Sequence, residues 1–170
     1  MKRLIVFLCV SLYAFAAVAQ EKFAVPTPTD LEKYQSSAWQ WNGAYIILIN
    51  YAKSLGKSAE DAGSSVGNIV KITWNKEIGY DGFVKSMLYI WVTYAPQGAV
   101  EIKEQTDKKI IFVVKNFYPP LKESLTEYNV TYEDYLKFLN NYVLQIAEYI
   151  GLKYSQNNTE EGLTVTIEKK

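Results

Sequence analysis

The sequence predicts an α+β domain, and three observations carry that reading. Apolar residues recur every three or four positions along most of the first 95 residues, which is helical spacing. The period then changes to two at Val100–Lys103, and again at Leu163–Glu168. A single strongly amphipathic stretch, Tyr132–Ile150, lies between the two strand regions. The implied order is α-α-α-β-β-α-β-β. Two hairpins joined through a helix give a four-stranded antiparallel sheet with helices packed on it.

The first helix is expected from a cap at Thr29 or Asp30. Leu31, Tyr34, Ala38, Trp41, Tyr45, Leu48, Ala52 and Leu55 form its stripe, and Gly56 ends it. Ala44–Tyr51 is apolar almost all round, Asn50 excepted. Such a helix is buried on several sides or sits in an oligomer interface. Its flank near Ile47 and Tyr51 needs a cover, either the fourth helix or, in a homodimer, a second copy.

Ser58-Ala59-Glu60-Asp61 opens the second helix as a capping box. Its apolar set is Ala59, Ala62, Val66, Ile69, Val70 and Trp74. Gly63 and Gly67 continue the four-residue spacing from Ala59. Two glycines inside a helix cost roughly 1 kcal/mol each relative to Ala, so close approach of another backbone is the expected compensation. Asp81 is the expected cap of the third helix, with Phe83, Met87, Ile90, Trp91 and Tyr94 as its contacts and Pro96 and Gly98 closing it.

Val100 and Ile102 alternate with Glu101 and Lys103, a strand with one wet face. Ile110–Val114 is apolar throughout, a strand covered on both faces, ended by Pro119 and Pro120. Thr131 and Asp134 cap the fourth helix, and Gly151 ends it. Leu152–Gln156 reads as a short strand, Asn157–Gly162 as a polar turn, and Leu163–Ile167 as the last strand. No feature marks a second domain, so residues 29–170 are expected to form one.

Upstream, residues 1–19 read as a signal peptide. Lys2 and Arg3 precede an apolar core of about 14 residues, too short to span a bilayer. Ala17-Val18-Ala19 supplies small residues for cleavage before Gln20. Residues 20–28, with Pro26 and Pro28, form an N-terminal tail. The expected location is secreted or periplasmic, with no integral membrane segment after cleavage.

Beyond residue 19 the chain contains no Cys, His or Arg. Setting aside Lys2 and Arg3, 16 lysines face 18 acids, a charge of about −2. Disulfides are impossible there, so a hydrophobic core must hold the fold. Zinc, copper, haem and iron–sulfur sites lose their usual ligands, and no metal or cofactor is expected. Histidine-dependent nucleophiles are excluded. A mildly acidic chain without Arg is a poor nucleic-acid binder.

What stands out is the aromatic content, 15% of the sequence. Trp39, Trp41, Tyr45, Trp74, Phe83, Tyr89, Trp91 and Tyr94 fall in the first three helices and are the candidate ligand-binding residues. Core filling is the alternative for each. Trp39 and Trp41 stand two apart on a helix and point to different faces, so both cannot serve one core.

The acid pairs Glu60-Asp61, Glu133-Asp134 and Glu160-Glu161 could serve acid–base chemistry, but two of them stand at helix starts, where acids are favoured structurally. Lys85 and Tyr89 stand four apart and could handle a proton. Asn129-Val130-Thr131 and Asn157-Asn158-Thr159 match the glycosylation pattern, and equally a cap and a turn.

The layout resembles the L-2-amino-thiazoline-4-carboxylate hydrolase-like proteins and the related 4-vinyl-reductase-like ligand-binding domains of bacteria. The supporting stretches are Ala38-Trp39-Gln40-Trp41, Gly79-Tyr80-Asp81-Gly82-Phe83 and the terminal Glu161–Ile167 strand. Those domains commonly carry a Cys-Pro after the second strand, where this chain has Tyr118-Pro119-Pro120. The resemblance therefore implies a small apolar ligand and transfers no thiol or metal role.

Three functions follow as expectations. The first is an exported, non-catalytic domain that binds a small apolar or aromatic ligand, or a partner protein. The second is a metal-free hydrolase or isomerase using carboxylate, Lys and Tyr. The third is a structural or assembly subunit.

Overall fold

A computed structural model describes residues 29–95, 97–115 and 125–170. The signal-peptide and tail readings, and the Pro119-Pro120 strand stop, lie outside the described residues. The chain divides into two compact units, Met1–Ser37 and Ala38–Lys170. In the first, the Thr29 N–H and hydroxyl both donate to the Glu32 carboxylate, which they hold below the usual carboxylate range.

The element order is the expected one: helices α1 (Asp30–Ser54), α2 (Ala59–Val70) and α3 (Gly79–Tyr94), strands β1 (Val100–Gln105) and β2 (Lys109–Val114), helix α4 (Tyr132–Ile150), then strands β3 (Leu152–Thr159) and β4 (Gly162–Lys169). The sheet is antiparallel throughout, in the order β1-β2-β4-β3. Period-two alternation puts Ile110, Phe112 and Val114 on the same face as Leu163, Val165 and Ile167. Phe112 stands opposite Val165, and Ile110 opposite Ile167. All six are buried and join one core with Phe83, Met87, Phe138, Ile146 and Ala147 from α3 and α4.

Helix α4 is tied down on three sides. Toward the sheet, the Gln156 side chain donates to the Leu136 carbonyl (2.8 Å), and its backbone N–H donates to Asn140 Oδ1 (3.1 Å). The Tyr154 hydroxyl donates to Gln156 Oε1 (3.0 Å), and burial raises its pKa. Toward α2 the backbones nearly touch. A Cβ on Gly67 would stand 2.5 Å from the Tyr142 carbonyl oxygen, and one on Gly63 3.0 Å from the Phe138 carbonyl carbon. The glycine strip is the close-packed surface its spacing predicts.

Toward α1, Lys53 Nζ donates to Asp134 Oδ2 (2.8 Å) and to the Asn129 carbonyl (2.9 Å). Asn50, the lone polar residue of its apolar run, donates to the Tyr128 carbonyl. Both capping boxes form, at Ser58–Asp61 and Thr131–Asp134.

Several expectations need correction. Helix α3 begins at Gly79, and Ile78 rather than Asp81 is its N-cap residue, without a side-chain cap bond. The 3₁₀ turn Lys76–Ile78 leads into it through Gly79, whose φ of 65° and ψ of −170° suit glycine rather than a side-chain cap. Asp81 sits in the first turn, where the dipole favours it. Helix α2 stops at Val70, and a 3₁₀ turn at Lys71–Thr73 leaves Trp74 extended. Strand β3 continues through Asn157–Thr159, which pair with Thr164, Leu163 and Gly162, so the turn is only Glu160-Glu161. Ile102 shares the inner face with Phe112 but lies on the sheet edge and is exposed; a register shift follows it. The flank of α1 at Ile47 and Tyr51 is not covered by α4.

Two predictions follow. Gly63→Ala and Gly67→Ala should each destabilise by about 1–3 kcal/mol, because the new methyl meets backbone. Gly43→Ala, in α1 with nothing within 4 Å, should stabilise by up to about 1 kcal/mol. Urea unfolding measures both, and stabilisation by all three would contradict the close approach. The second concerns Asp134. Burial raises its pKa, but hydrogen bonds from Lys53 and Thr131 outweigh that and hold it below the usual range. A depressed carboxylate contributes stability above its unfolded pKa and loses it as pH falls through the folded value. Asp134→Asn should therefore cost about 1 kcal/mol at neutral pH, and the gap should narrow below about pH 4. A gap that stays constant into acid would contradict this origin.

Candidate functional site

Four elements meet around a cavity of about 80 Å³ inside the Ala38–Lys170 unit. Helix α1 contributes Trp41, Asn42 and Tyr45, and the turn after α2 contributes Trp74. Helix α3 adds Met87, Ile90 and Trp91, and α4 adds Tyr135, Leu139, Tyr142, Val143 and Ile146. The spacings explain the convergence. On α4, positions 135, 139, 142, 143 and 146 lie on one helical face, as do 87, 90 and 91 on α3. Trp74 reaches the cavity because α2 ends four residues earlier, which lets its chain turn back toward α3. Its ring lies 5.5 Å from that of Phe83.

The wall is apolar apart from one buried polar pair and tyrosine hydroxyls. The Tyr135 hydroxyl donates to Asn42 Oδ1, and both residues are almost fully buried. Tyr45 packs against two rings of α4, 5.2 Å from Phe138 and 6.0 Å from Tyr142. Trp41 stands 6.5 Å from Tyr45 and remains 55% exposed, at the rim. Neither Asp, Glu nor Lys lines the cavity.

Of the eight aromatic residues singled out in the sequence, the fold brings Trp41, Tyr45, Trp74 and Trp91 to this cavity. Phe83 is fully buried in the core behind Trp74. Tyr89 is 76% exposed, because it stands two positions from Trp91 on α3 and faces the other way. The side chains of Trp39 and Tyr94 lie outside the described residues. The α4 wall was not among the candidates. Its residues form the apolar stripe of an amphipathic helix, and that pattern alone reads as core.

The acid pairs occupy structural positions. Asp61 and Asp134 close capping boxes. Glu60 and Glu133 both reach Lys137, at 3.3 and 3.0 Å, and Glu161 pairs with Lys103 at 3.0 Å. A separate open groove of about 620 Å³ lies between α3 and the β1–β2 turn, lined by Tyr80, Asp81, Lys85, Thr106 and Asp107 among others. Burial first, then the Asp81 and Asp107 carboxylates, raise the Tyr80 pKa, and Lys169 Nζ stands 5.0 Å above its ring. Lys85 lines this groove while Tyr89 does not, so the two are not brought together there.

Among the described residues, no cluster of three or more Cys, Asp or Glu is placed to hold a metal ion. No described helix is long and apolar enough to cross a membrane. Comparison with protein-family models, with curated proteins and with solved structures gives no match to this chain.

Proposed function

We propose that the protein is an exported, non-catalytic domain that binds a small apolar or aromatic molecule in the cavity between α1, α3 and α4. The observation that carries this reading is the wall itself: three tryptophans and three tyrosines around a void, with one buried polar pair. The volume of about 80 Å³ takes an apolar group of a few heavy atoms, and the rest of a ligand would lie along exposed Trp41. The resemblance in layout to the 4-vinyl-reductase-like domains supports the same ligand class.

A second reading, a metal-free hydrolase or isomerase, rests on the groove that brings Asp81, Lys85 and Asp107 together with Tyr80. It ranks lower because all three charged groups are exposed to solvent.

Three of the four tryptophans line the cavity, so intrinsic fluorescence reports its occupancy. Titration with indole, naphthalene and a medium-chain fatty acid should shift or quench emission saturably for at least one probe. Val143→Phe, which fills the cavity, should abolish that response, while Tyr89→Ala should leave it intact. The reading fails if no probe changes the emission, or if the filled variant responds like the wild type.

A further inference from the structure

Helix α1 carries a second pattern, which shares only Trp41 with the cavity. Trp41, Ala44, Leu48, Tyr51 and Leu55, the last just past its end, recur at spacings of three, four, three and four. That is the a/d repeat of a coiled-coil seam, and all five residues are exposed. Ile47 flanks the seam at 61% exposure, and Tyr51 and Leu55 are about as exposed, at 62% and 60%. Single exposed apolar residues need no explanation, but a continuous stripe does. From Ala38 to Ala52 the helix contains no charged residue. An open groove of about 410 Å³ runs beside the stripe, floored by Ala52 and Ala62 and walled on α2 by the small residues Ser64 and Ser65.

We propose that this face binds the same face of a second copy of the chain, α1 against α1 about a two-fold axis. The observations favour a second copy over other occupants for three reasons. A heptad seam fits another helix carrying the same repeat. A two-fold interface repeats every contact twice, and an uncharged segment sets no like charges against each other across it. An antiparallel register centred between Ile49 and Asn50 sets Leu48 opposite Tyr51 of the partner subunit and small Ala44 opposite Leu55 of the partner subunit. The stripe and Ile47 offer on the order of 500 Å² per copy, about 1,000 Å² in total, at the lower limit for a specific interface. The dimer is therefore a weak one, dissociating in the micromolar range. Apart from Trp41, the seam residues are not part of the cavity wall.

Sedimentation of the protein purified after export tests it across micromolar concentrations. The wild type should pass from monomer to dimer mass as concentration rises. Leu48→Glu and Tyr51→Glu should each remain monomeric, with unchanged circular dichroism and melting, because neither side chain belongs to the core. Val92→Glu, equally exposed but on α3, should still dimerise. A wild type that stays monomeric throughout would overturn the proposal. So would two folded seam variants that keep the dimer mass. A wild type that remains monomeric but floats with phosphatidylcholine vesicles would give the face to a lipid surface instead.

Discussion

The backbone contact between α2 and α4 is the constraint on which the rest of this domain depends. Gly63 and Gly67 let α2 lie directly on the Phe138 and Tyr142 carbonyls, where any side chain would hold the helices apart. With one side of α4 committed in this way, its remaining faces are assigned. Leu136 and Asn140 meet the sheet through Gln156, and Tyr135, Leu139, Val143 and Ile146 face α1 and α3. The cap at Thr131–Asp134, clamped by Lys53, fixes where along its length α4 meets α1. Two glycines that weaken α2 as an isolated helix thus set the position of the helix that supplies the largest share of the site.

The cavity is a consequence of large rings meeting from four directions. Indoles and phenols are too rigid to fill every gap between elements of fixed spacing, so a void remains among Trp41, Trp74, Trp91 and Tyr142. The polar pair at Asn42 and Tyr135 is satisfied internally, and so the wall stays compatible with an apolar guest. Charged groups are held elsewhere, in caps and surface pairs.

Features written in local chemistry were legible in the sequence. Both capping boxes, the left-handed Gly151, the glycine strip and the two-residue periods of β1 and β4 depend on neighbours within a few residues, and the structure contains them all. The misreadings share one cause, which is that tertiary context decided them. Trp74 fits the α2 stripe by spacing, yet the helix gives way to a 3₁₀ turn before reaching it. Asn157–Thr159 look like a turn, but pairing with β4 draws them into the strand. Ile102 has the right parity for the core, but β1 is the sheet edge and little covers it. The α4 wall of the cavity could not be told from core because both uses demand the same apolar stripe. Tyr89 was the avoidable case: its two-residue offset from Trp91 already placed it on another face.

The central claim is that the cavity between α1, α3 and α4 holds a small molecule. Native mass spectrometry of the protein purified gently from its producing cells tests it most directly. The account predicts a discrete non-covalent mass adduct on the wild type that is lost on mild activation, with none on the cavity-filled Val143→Phe chain. A wild-type spectrum showing the bare polypeptide alone, or the same adduct on both proteins, would contradict it.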